Sequence, residues 1–318
     1  MKAIVYQGSH LVVVVAALVF LVGSAPGAPA SAASKSFLTL QFGRTQLALA
    51  GPGCSASPGA VPLGSVVRQM WRLGYAGTGA VALDITGQGW SSCRGRIRYA
   101  GWRTLQRWHH RYRFHLISAG RHYTDVRRLR PSEQRADICG SLAAFRRHGF
   151  RAAWGMFAYP DDHSDSRVQQ HVTAGCFAFG RTYSHDVNTR SGLRSPWFQR
   201  TYSIDGGACN LTGLDCYRIV TPVWPAHYTS PRLLASLMRP SVGQWRVVQM
   251  YRFVRGRRLS GAIRWNCRGP NWRGHWTTRI ELYCAKDYLS AVRSIPSTVR
   301  VVSPTAVARA WGRAPVLP

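Results

Sequence analysis

The sequence predicts one exported domain of the α/β class, in which parallel strands alternate with helices. Short apolar runs alternate with helix-like patterns from residue 36 to residue 311, as expected where crossover helices connect parallel strands. The number of predicted strands suits a closed barrel with helices outside. No internal repeat or low-complexity linker divides the chain after the small residues at 51–64, so one domain is predicted.

The first 33 residues have the pattern of a secretory signal peptide. Lys2 precedes an unbroken apolar run from Leu11 to Val22, which is shorter than the ~18 residues that a membrane span needs. Small residues follow, and Ala28-Pro29-Ala30 or Ala30-Ser31-Ala32 would suit a signal peptidase. An uncleaved N-terminal anchor is the alternative. We therefore expect a secreted or cell-envelope protein with its domain over residues 34–314.

Each element follows from a local pattern. Strands are predicted for short apolar runs, and helices where apolar residues recur at i, i+3 and i+4. The predicted strands span residues 36–42, 79–85, 114–118, 154–159, 177–183, 244–253 and 299–302. The predicted helices span residues 61–73, 103–112, 131–148, 167–175, 231–237, 280–293 and 304–311. Gly74 ends the first helix, Pro131 opens the third, and Ser303-Pro304 opens the last.

Eight cysteines follow the leader, and an even number in an exported chain indicates disulfides. They are Cys54, Cys93, Cys139, Cys176, Cys209, Cys216, Cys267 and Cys284. No Cys-x-x-Cys pair occurs, which disfavours a zinc ribbon. Of the many pairings that eight cysteines allow, we predict pairing between neighbours: 54–93, 139–176, 209–216 and 267–284.

The charge is strongly positive, with 42 Lys+Arg against 12 Asp+Glu and a formal net charge of +30. Such a surface attracts polyanions, among them phosphate-rich wall polymers and anionic lipid headgroups. The arginines are spread along the chain rather than clustered, so a nucleic-acid-binding stripe is not predicted. A membrane surface is a further candidate partner. An arginine-biased proteome is the alternative explanation of the same composition.

The segment from Ser118 to Pro160 resembles the NodB-homology domain of polysaccharide deacetylases, a family of carbohydrate esterases. That family has a G-x-H-x-x-x-H-x-x-L segment, a helix beginning near S-P-E, and a strand ending in F-x-Y-P. Gly120, His122 and Leu129 match the first motif, and Phe157-Ala158-Tyr159-Pro160 matches the last. Leu38 to Gly43 resembles the family's opening L-T-F-D-D-G motif, and 245–253 resembles its late strand. The resemblance implies a deformed (β/α) barrel.

The resemblance also implies a chemistry that this chain has largely lost. In the family, one aspartate of the first motif is the general base and the other binds a divalent metal with two histidines; a late histidine protonates the leaving amine. Gln41 and Phe42 stand at the aspartates, and Val126 stands at the second histidine. Arg252 or Phe253 stands near the late histidine. Only His122 is retained, and one imidazole does not hold zinc.

The first functional hypothesis is therefore a degenerate member, a pseudoenzyme that binds carbohydrate or an anionic cell-wall polymer. Tyr159, Asp162 and His163 are its predicted substrate-binding residues. Tryptophans in loop-like sequence, such as Trp90 and Trp197, could stack on sugar rings, although core and loop-anchoring roles are the alternative. No cofactor is expected under this hypothesis.

The second hypothesis is a metal-dependent carbohydrate deacetylase, a hydrolase of non-peptide C–N bonds with a rewired site. Asp84 and His122 are its predicted metal ligands, because both follow strands whose carboxyl ends share one face. Further donors would come from Asp161-Asp162-His163 and His185-Asp186. Zinc is expected only if these residues converge. An ordinary polar turn is the alternative for 161–163, and a relict that orders its loop, partly buried and hydrogen-bonded, is the alternative for His122.

Overall fold

The computed structural model describes residues 35–43, 46–49, 60–84, 86, 97–160, 168, 176–183, 188–190, 199–203, 231–250, 252–255, 264–266, 269–271 and 282–313. Within these ranges, none of the helices combines the length and apolar character needed to cross a bilayer. The predicted leader and the predicted helix at 167–175, apart from Val168, lie outside the described residues.

Strands and helices alternate along much of the described chain. The strands are β1 (Ser36–Phe42), β2 (Gln46–Leu49), β3 (Ala60–Val61), β4 (Thr78–Val81), β5 (Ile97–Tyr99), β6 (His115–Ser118), β7 (Phe157–Ala158), β8 (Gly180–Tyr183), β9 (Asn188–Thr189), β10 (Gln199–Ser203), β11 (Gln244–Met250), β12 (Arg252–Val254), β13 (Arg264–Asn266), β14 (Gly269–Asn271), β15 (Leu282–Cys284) and β16 (Val299–Val301). The helices are α1 (Leu63–Arg72), α2 (Trp102–Tyr112), α3 (Pro131–Ile138), α4 (Ser141–Arg147), α5 (Pro231–Leu237), α6 (Ala285–Arg293) and α7 (Pro304–Ala310).

The main sheet is parallel, which confirms the predicted α/β class. Strands β1, β4, β6, β7, β8, β10 and β11 pair in succession, each parallel to the next. Strand β11 also pairs with β1, from Phe37↔Trp245 to Phe42↔Met250, so the pairings return to the strand where they began. Strand β16 adds to β1 in parallel, and β9 adds to β11 in antiparallel orientation.

Strand β1 is buried along its whole length, and its two faces enter different clusters. Leu38, Leu40 and Phe42 belong to the helix-facing cluster, which includes apolar residues of α1, α2 and α6. Phe37 belongs to an alanine-rich cluster, whose members are Phe37, Ala80, Ala82, Ile117, Ala119, Met156, Ala158, Ala178, Phe179, Trp245, Val247, Val307, Ala308 and Trp311. Because side chains alternate along a strand, Thr39 and Gln41 share the face of Phe37.

Helix α1 shows how local sequence places the outer layer. Its buried residues are Leu63, Val66, Val67 and Met70, at the i, i+3, i+4, i+7 spacing of an apolar stripe. Gly74 has φ +86°, a conformation that glycine adopts without a steric penalty, and it directly follows the capping residue at the end of the helix.

Several predicted elements are shorter or divided. The strand predicted over 244–253 ends at Met250, and Arg252–Val254 pairs instead with β15 and β3 in a separate sheet. Strand β15 occupies part of the helix predicted over 280–293, which begins only at Ala285. The helix predicted over 131–148 divides into α3 and α4, since Cys139-Gly140 separates them. The strand predicted over 154–159 is shorter in the structure: a 3-10 turn comes first, and only β7 is a strand.

A disulfide joins Cys139, at the end of α3, to Cys176, with 5.4 Å between their Cα atoms. This pairing is the one predicted between neighbours. Cys284 is also disulfide-bonded. The predicted pairings that involve Cys54, Cys93, Cys209, Cys216 and Cys267 lie outside the described residues.

We expect the Cys139–Cys176 bond to stabilise the fold by lowering the conformational entropy of the unfolded chain. It closes a loop of 37 residues, for which chain-entropy arguments give about 4 kcal/mol. The double variant Cys139→Ser/Cys176→Ser should lose about 2–4 kcal/mol of unfolding free energy in urea titrations. Ala136→Ser, an exposed change on the same helix, is the matched control. Equal stability of the double variant and the control would contradict the prediction.

His115 opens β6, and its environment disfavours the charged imidazole. Burial, assisted by the neighbouring His109, lowers the pKa of His115 from 6.5 to about 4. The backbone N–H of His115 donates to the carbonyl oxygen of Gly77 at 2.9 Å. The imidazole is therefore neutral at neutral pH, which places an uncharged polar ring at the amino end of this strand.

This low pKa predicts a pH-dependent stability. The unfolded chain binds more protons than the folded one between pH 6.5 and about 4, so wild-type stability falls as pH falls through that window, by up to about 3 kcal/mol. His115→Gln should flatten the dependence, as measured by urea unfolding at several pH values. His110→Gln, at an exposed position, should behave like the wild type. A His115→Gln curve parallel to the wild-type curve would refute this.

Candidate functional site

The candidate site lies at the carboxyl ends of β4 and β6, where two loops run side by side. The backbone pairing of these strands continues past their ends, because Leu83 N–H donates to Gly120 O at 3.1 Å and Asp84 N–H donates to Arg121 O at 2.8 Å. Asp84 and His122 therefore lie on neighbouring loops at one end of the sheet, as the sequence predicted for residues that follow parallel strands.

Asp84 is half-buried and holds the second loop in place. Its Oδ2 accepts a hydrogen bond from the Tyr123 backbone N–H at 3.0 Å. Its Oδ1 is buried, and no described residue donates to it. Thr86 closes the turn behind Asp84, as its hydroxyl donates to the Ala82 carbonyl oxygen at 2.7 Å. Asp84 thus has a structural hydrogen bond on one oxygen and a free acceptor on the other within the described part of the chain.

His122 is held by a buried carboxylate on α3. Its Nδ1 lies 2.7 Å from Oδ1 of Asp137, and its backbone N–H donates to the same oxygen at 2.9 Å. An ionised carboxylate only accepts, so Nδ1 carries a proton and donates this hydrogen bond. The His122 side chain is 65% exposed, against 3% for Asp137. The expectation of a partly buried His122 was wrong, because the burial falls on its partner.

Two influences act in opposite directions on the pKa of Asp137. Burial raises the pKa of its carboxyl group, and the hydrogen bonds from His122 act in the opposite direction. Gly120 has φ +92°, and a Cβ atom there would lie 2.6 Å from Asp137 Oδ2. Glycine is therefore required at 120 both by the backbone conformation and by the carboxylate packed against it.

The residues at the family's aspartate positions face opposite sides of β1. Gln41 is fully buried, and its Nε2 donates to Oε1 of Gln249 at 2.9 Å, directly across the strand pair. Phe42 is fully buried in the helix-facing cluster, with ring centroids 6.0 Å from Phe114, 6.0 Å from Phe253 and 6.2 Å from Tyr288. Gln41 thus belongs to a neutral amide pair, and Phe42 is a core aromatic residue.

Val126 and Phe253, which the resemblance places at or near two histidine positions, are both core residues. Val126 is fully buried at the start of a 3-10 turn, where its carbonyl oxygen accepts from Gln134 Nε2 at 2.8 Å. Asp125 caps this turn by accepting from the Arg127 backbone N–H at 3.1 Å. Phe253 lies on β12, outside the main sheet, and is buried.

The zinc that the resemblance implies does not fit the residues at its positions. The side chains of Phe42 and Val126 have no donor atoms. Gln41 Nε2 donates to Gln249, which leaves the buried Oε1 of Gln41 as a single neutral oxygen without a hydrogen-bond partner among the described residues. Across the described ranges, no group of three or more His, Cys, Asp or Glu side chains is placed to hold a metal ion, whereas protein zinc sites use three or four ligands. The residues predicted to complete a rewired site, at 161–163 and 185–186, lie outside the described residues. The rewired site therefore stays a prediction.

Of the three predicted substrate-binding residues, one lies within the described residues. Tyr159 is 1% exposed, and its ring packs edge-on against Phe157 with centroids 5.4 Å apart. Asp162 and His163 lie outside the described residues. Their roles in binding stay predictions.

Two residues of this region were not found from sequence. The sequence could have pointed to Asp137, which is one of only 12 acidic residues. It directly precedes Ile138, a residue of the apolar face of a predicted helix. An acidic residue on a buried helix face usually has a partner. Gln249 carried no comparable signal, because its pairing with Gln41 depends on the register of strands that are 208 residues apart.

Comparisons with known proteins give structural likenesses only. No model of a protein family matches the sequence, and no curated protein matches it. Among solved structures, a family 4 carbohydrate esterase from Streptomyces lividans is 11% identical, with a TM-score of 0.41 and coverage of 86% of this chain and 95% of that one. An esterase domain of a xylanase from the hindgut metagenome of Trinervitermes trinervoides is 12% identical, with a TM-score of 0.42 and coverage of 89% and 94%.

A polysaccharide deacetylase from Bacillus cereus is also similar, at 11% identity and a TM-score of 0.36, over 52% of this chain and 63% of that one. At these identities and scores, we base no argument about function on the likenesses.

The packing of Phe42 predicts that restoring a carboxylate there will not restore a site. Phe42→Asp should lower the unfolding free energy by more than about 4 kcal/mol, because it removes a buried ring and buries a charge. Phe42→Leu, the apolar control, should cost about 1.5 kcal/mol. Urea unfolding measures both variants. A Phe42→Asp protein with wild-type stability and one bound zinc would contradict this placement.

Proposed function

We propose that this chain is a secreted, polysaccharide-deacetylase-like protein without the inherited catalysis, which binds carbohydrate or an anionic cell-wall polymer. The observation that carries the proposal is the burial of Phe42 among Phe114, Phe253 and Tyr288. At the position of a metal-binding aspartate, the chain has an aromatic residue that stabilises the core.

The proposed architecture is the deformed (β/α) barrel of the NodB-homology domain, stapled by disulfides. Its support is the succession of seven parallel pairings that starts and ends at β1. Helices α1, α2 and α6 supply an outer apolar layer. The functional face of such an architecture is the one at the carboxyl ends of the strands, where Asp84 and His122 lie.

The proposed loss of catalysis follows from the chemistry that amide hydrolysis requires. An amide is a poor electrophile and water is a poor nucleophile, so the reaction needs both a general base and a polarising group. Gln41 is a neutral amide and accepts no proton at neutral pH. Losing a general base alone typically costs a factor of about 10²–10⁴ in rate. Neither Phe42 nor Val126 can contribute a metal ligand.

The proposed binding uses groups that remain at the same end of the sheet. Arg121 and His122 are adjacent and exposed, and the buried Asp137 fixes the orientation of the His122 ring. A fixed imidazole and a guanidinium suit the hydroxyl and anionic groups of a polymer. The net charge of +30 also attracts an anionic polymer, and it does so at longer range. The assignment to carbohydrate rests on the resemblance of residues 118–160.

The proposal predicts binding without metal and without turnover. Purified protein, offered zinc and dialysed, should retain far less than one equivalent, and oligomers of N-acetylglucosamine should release no acetate. Purified bacterial wall polymer should bind, and Arg121→Ala should weaken its binding by about 10- to 100-fold, since a charge-assisted hydrogen bond contributes about 1.5–3 kcal/mol. Arg232→Ala, at an exposed arginine of α5, is the matched control.

Two results would overturn parts of the proposal. One zinc ion per chain, lost in His122→Ala, would replace the pseudoenzyme with the rewired deacetylase. Wall-polymer binding that falls equally in Arg121→Ala and Arg232→Ala would show attraction by net charge alone, without a site at the carboxyl ends of the strands.

A further inference from the structure

A cavity of about 840 Å³ lies at the opposite end of the sheet from the candidate site. Its wall includes residues that precede β4, residues around the first position of β6, and the start of α7. Its volume is within the range of about 300–1,000 Å³ that small-molecule sites occupy. It shares no lining residue with the loops that bear Asp84 and His122.

An aromatic pair, an exposed tryptophan and a half-buried tyrosine, forms one side of the cavity. Trp71 is 45% exposed and is one of two large hydrophobic side chains exposed among the described residues. The Tyr112 ring lies against it, with centroids 5.9 Å apart and planes inclined at 55°. Trp71 lies on α1 beside the buried face that Leu63, Val66 and Met70 form. An exposed flat aromatic surface of this kind can stack on the C–H face of a sugar ring, with its polar atom in water.

Imidazole side chains provide hydrogen-bonding groups in the same cavity. His109 Nδ1 lies 2.8 Å from the Phe114 carbonyl oxygen. A carbonyl oxygen only accepts, so Nδ1 carries a proton and donates this hydrogen bond. His115 is neutral at neutral pH because burial lowers its pKa to about 4. Neutral imidazoles donate and accept hydrogen bonds with hydroxyl groups without adding charge.

Two exposed guanidinium groups give the cavity its charge selectivity. Arg113 follows α2 with φ +54°, and Arg309 on α7 lies with its guanidinium carbon 5.7 Å from the Trp154 ring centroid. Among the described residues that line the cavity, none is Asp or Glu. The two guanidinium groups therefore favour a ligand with a negative charge, and arginine suits the planar oxygens of a carboxylate or phosphate.

We propose that this cavity is a second binding site, specific for a negatively charged sugar unit that carries a carboxylate or phosphate group. Trp71 and Tyr112 would contact the sugar face, the imidazoles its hydroxyls, and Arg113 and Arg309 its charged group. The site goes beyond the proposed function, since it is built from other residues at the other end of the strands. A sugar polymer fits better than nucleic acid, because only two of the described residues that line the cavity are arginine or lysine.

The test measures the affinity and stoichiometry of defined oligomers for the full chain by calorimetry. The probes are a galacturonate oligomer for the carboxylate, a glycerol-phosphate oligomer for the phosphate, an uncharged cello-oligomer, and a single-stranded oligonucleotide. We expect at least one of the two charged sugar-type probes to bind at least tenfold more tightly than the cello-oligomer. Which of the two binds identifies the charged group.

Trp71→Ala and Arg309→Gln should each weaken that binding at least tenfold. Val242→Ala and Arg232→Ala are the controls for an exposed hydrophobic residue and an exposed arginine outside the cavity. They should leave the affinity unchanged. Far-ultraviolet circular dichroism checks that all four variants are folded.

Three results would overturn the proposal: no binding of either charged probe, equal losses in the cavity variants and the controls, or tighter binding of the oligonucleotide through Trp71 and Arg309. Stoichiometry separates this site from the proposed function. One site that is lost in Trp71→Ala supports the cavity and contradicts binding at the carboxyl ends of the strands. One site that is lost only in Arg121→Ala does the reverse.

Discussion

The pairing of β1 with β11 is the interaction on which the rest of the structure depends. It closes the succession of parallel strands, and it buries all seven residues of β1. Every side chain on this strand must be apolar or must find a hydrogen-bond partner inside the protein, since an unpaired buried polar group costs about 1–3 kcal/mol. Thr39 meets this condition through Trp245, and Gln41 meets it in part, since its Nε2 donates to Gln249 while its Oε1 has no partner among the described residues.

The burial of β1 also limits which side chains can occupy positions 41 and 42. A carboxylate on β1 is tolerated only if a cation or several donors compensate its charge. Gln41 and Gln249 form a neutral amide pair, and Phe42 adds a ring to the helix-facing cluster. Neither Gln41 nor Phe42 brings a charge into the buried strand.

Local signals in the sequence were sufficient for much of the fold. Strand β1, helices α1 and α2, and the Ser303 cap of α7 follow from apolar spacing and from single capping residues, and the structure has them within two residues of the predicted bounds. The sequence did not reveal the end of the late strand at Met250, because Phe253 is as apolar as its predecessors and is buried in a different sheet.

The sites depended on contacts that no local pattern contains. The His122–Asp137 pair joins a loop to a helix 15 residues later, and its signal was a single acidic residue on an apolar helix face. The cavity at the other end of the sheet combines residues near 71, 112, 115 and 309. Such a combination follows from the parallel order of the strands and from the return of α7 to the sheet.

The position of β1 in the chain also has a consequence for the order of folding. This strand is synthesised before the other described strands. Its partner β4 follows about 40 residues later, but β4 pairs only with Gln41 and Phe42, and the partners β11 and β16 are contributed by residues near 245 and 300. Contacts of such long sequence separation form slowly, because the entropy of closing a long loop opposes them. Until residues near 245 and 300 have been synthesised, most of this buried strand has no strand beside it, and an unpaired strand edge of this kind makes an incomplete chain prone to aggregation.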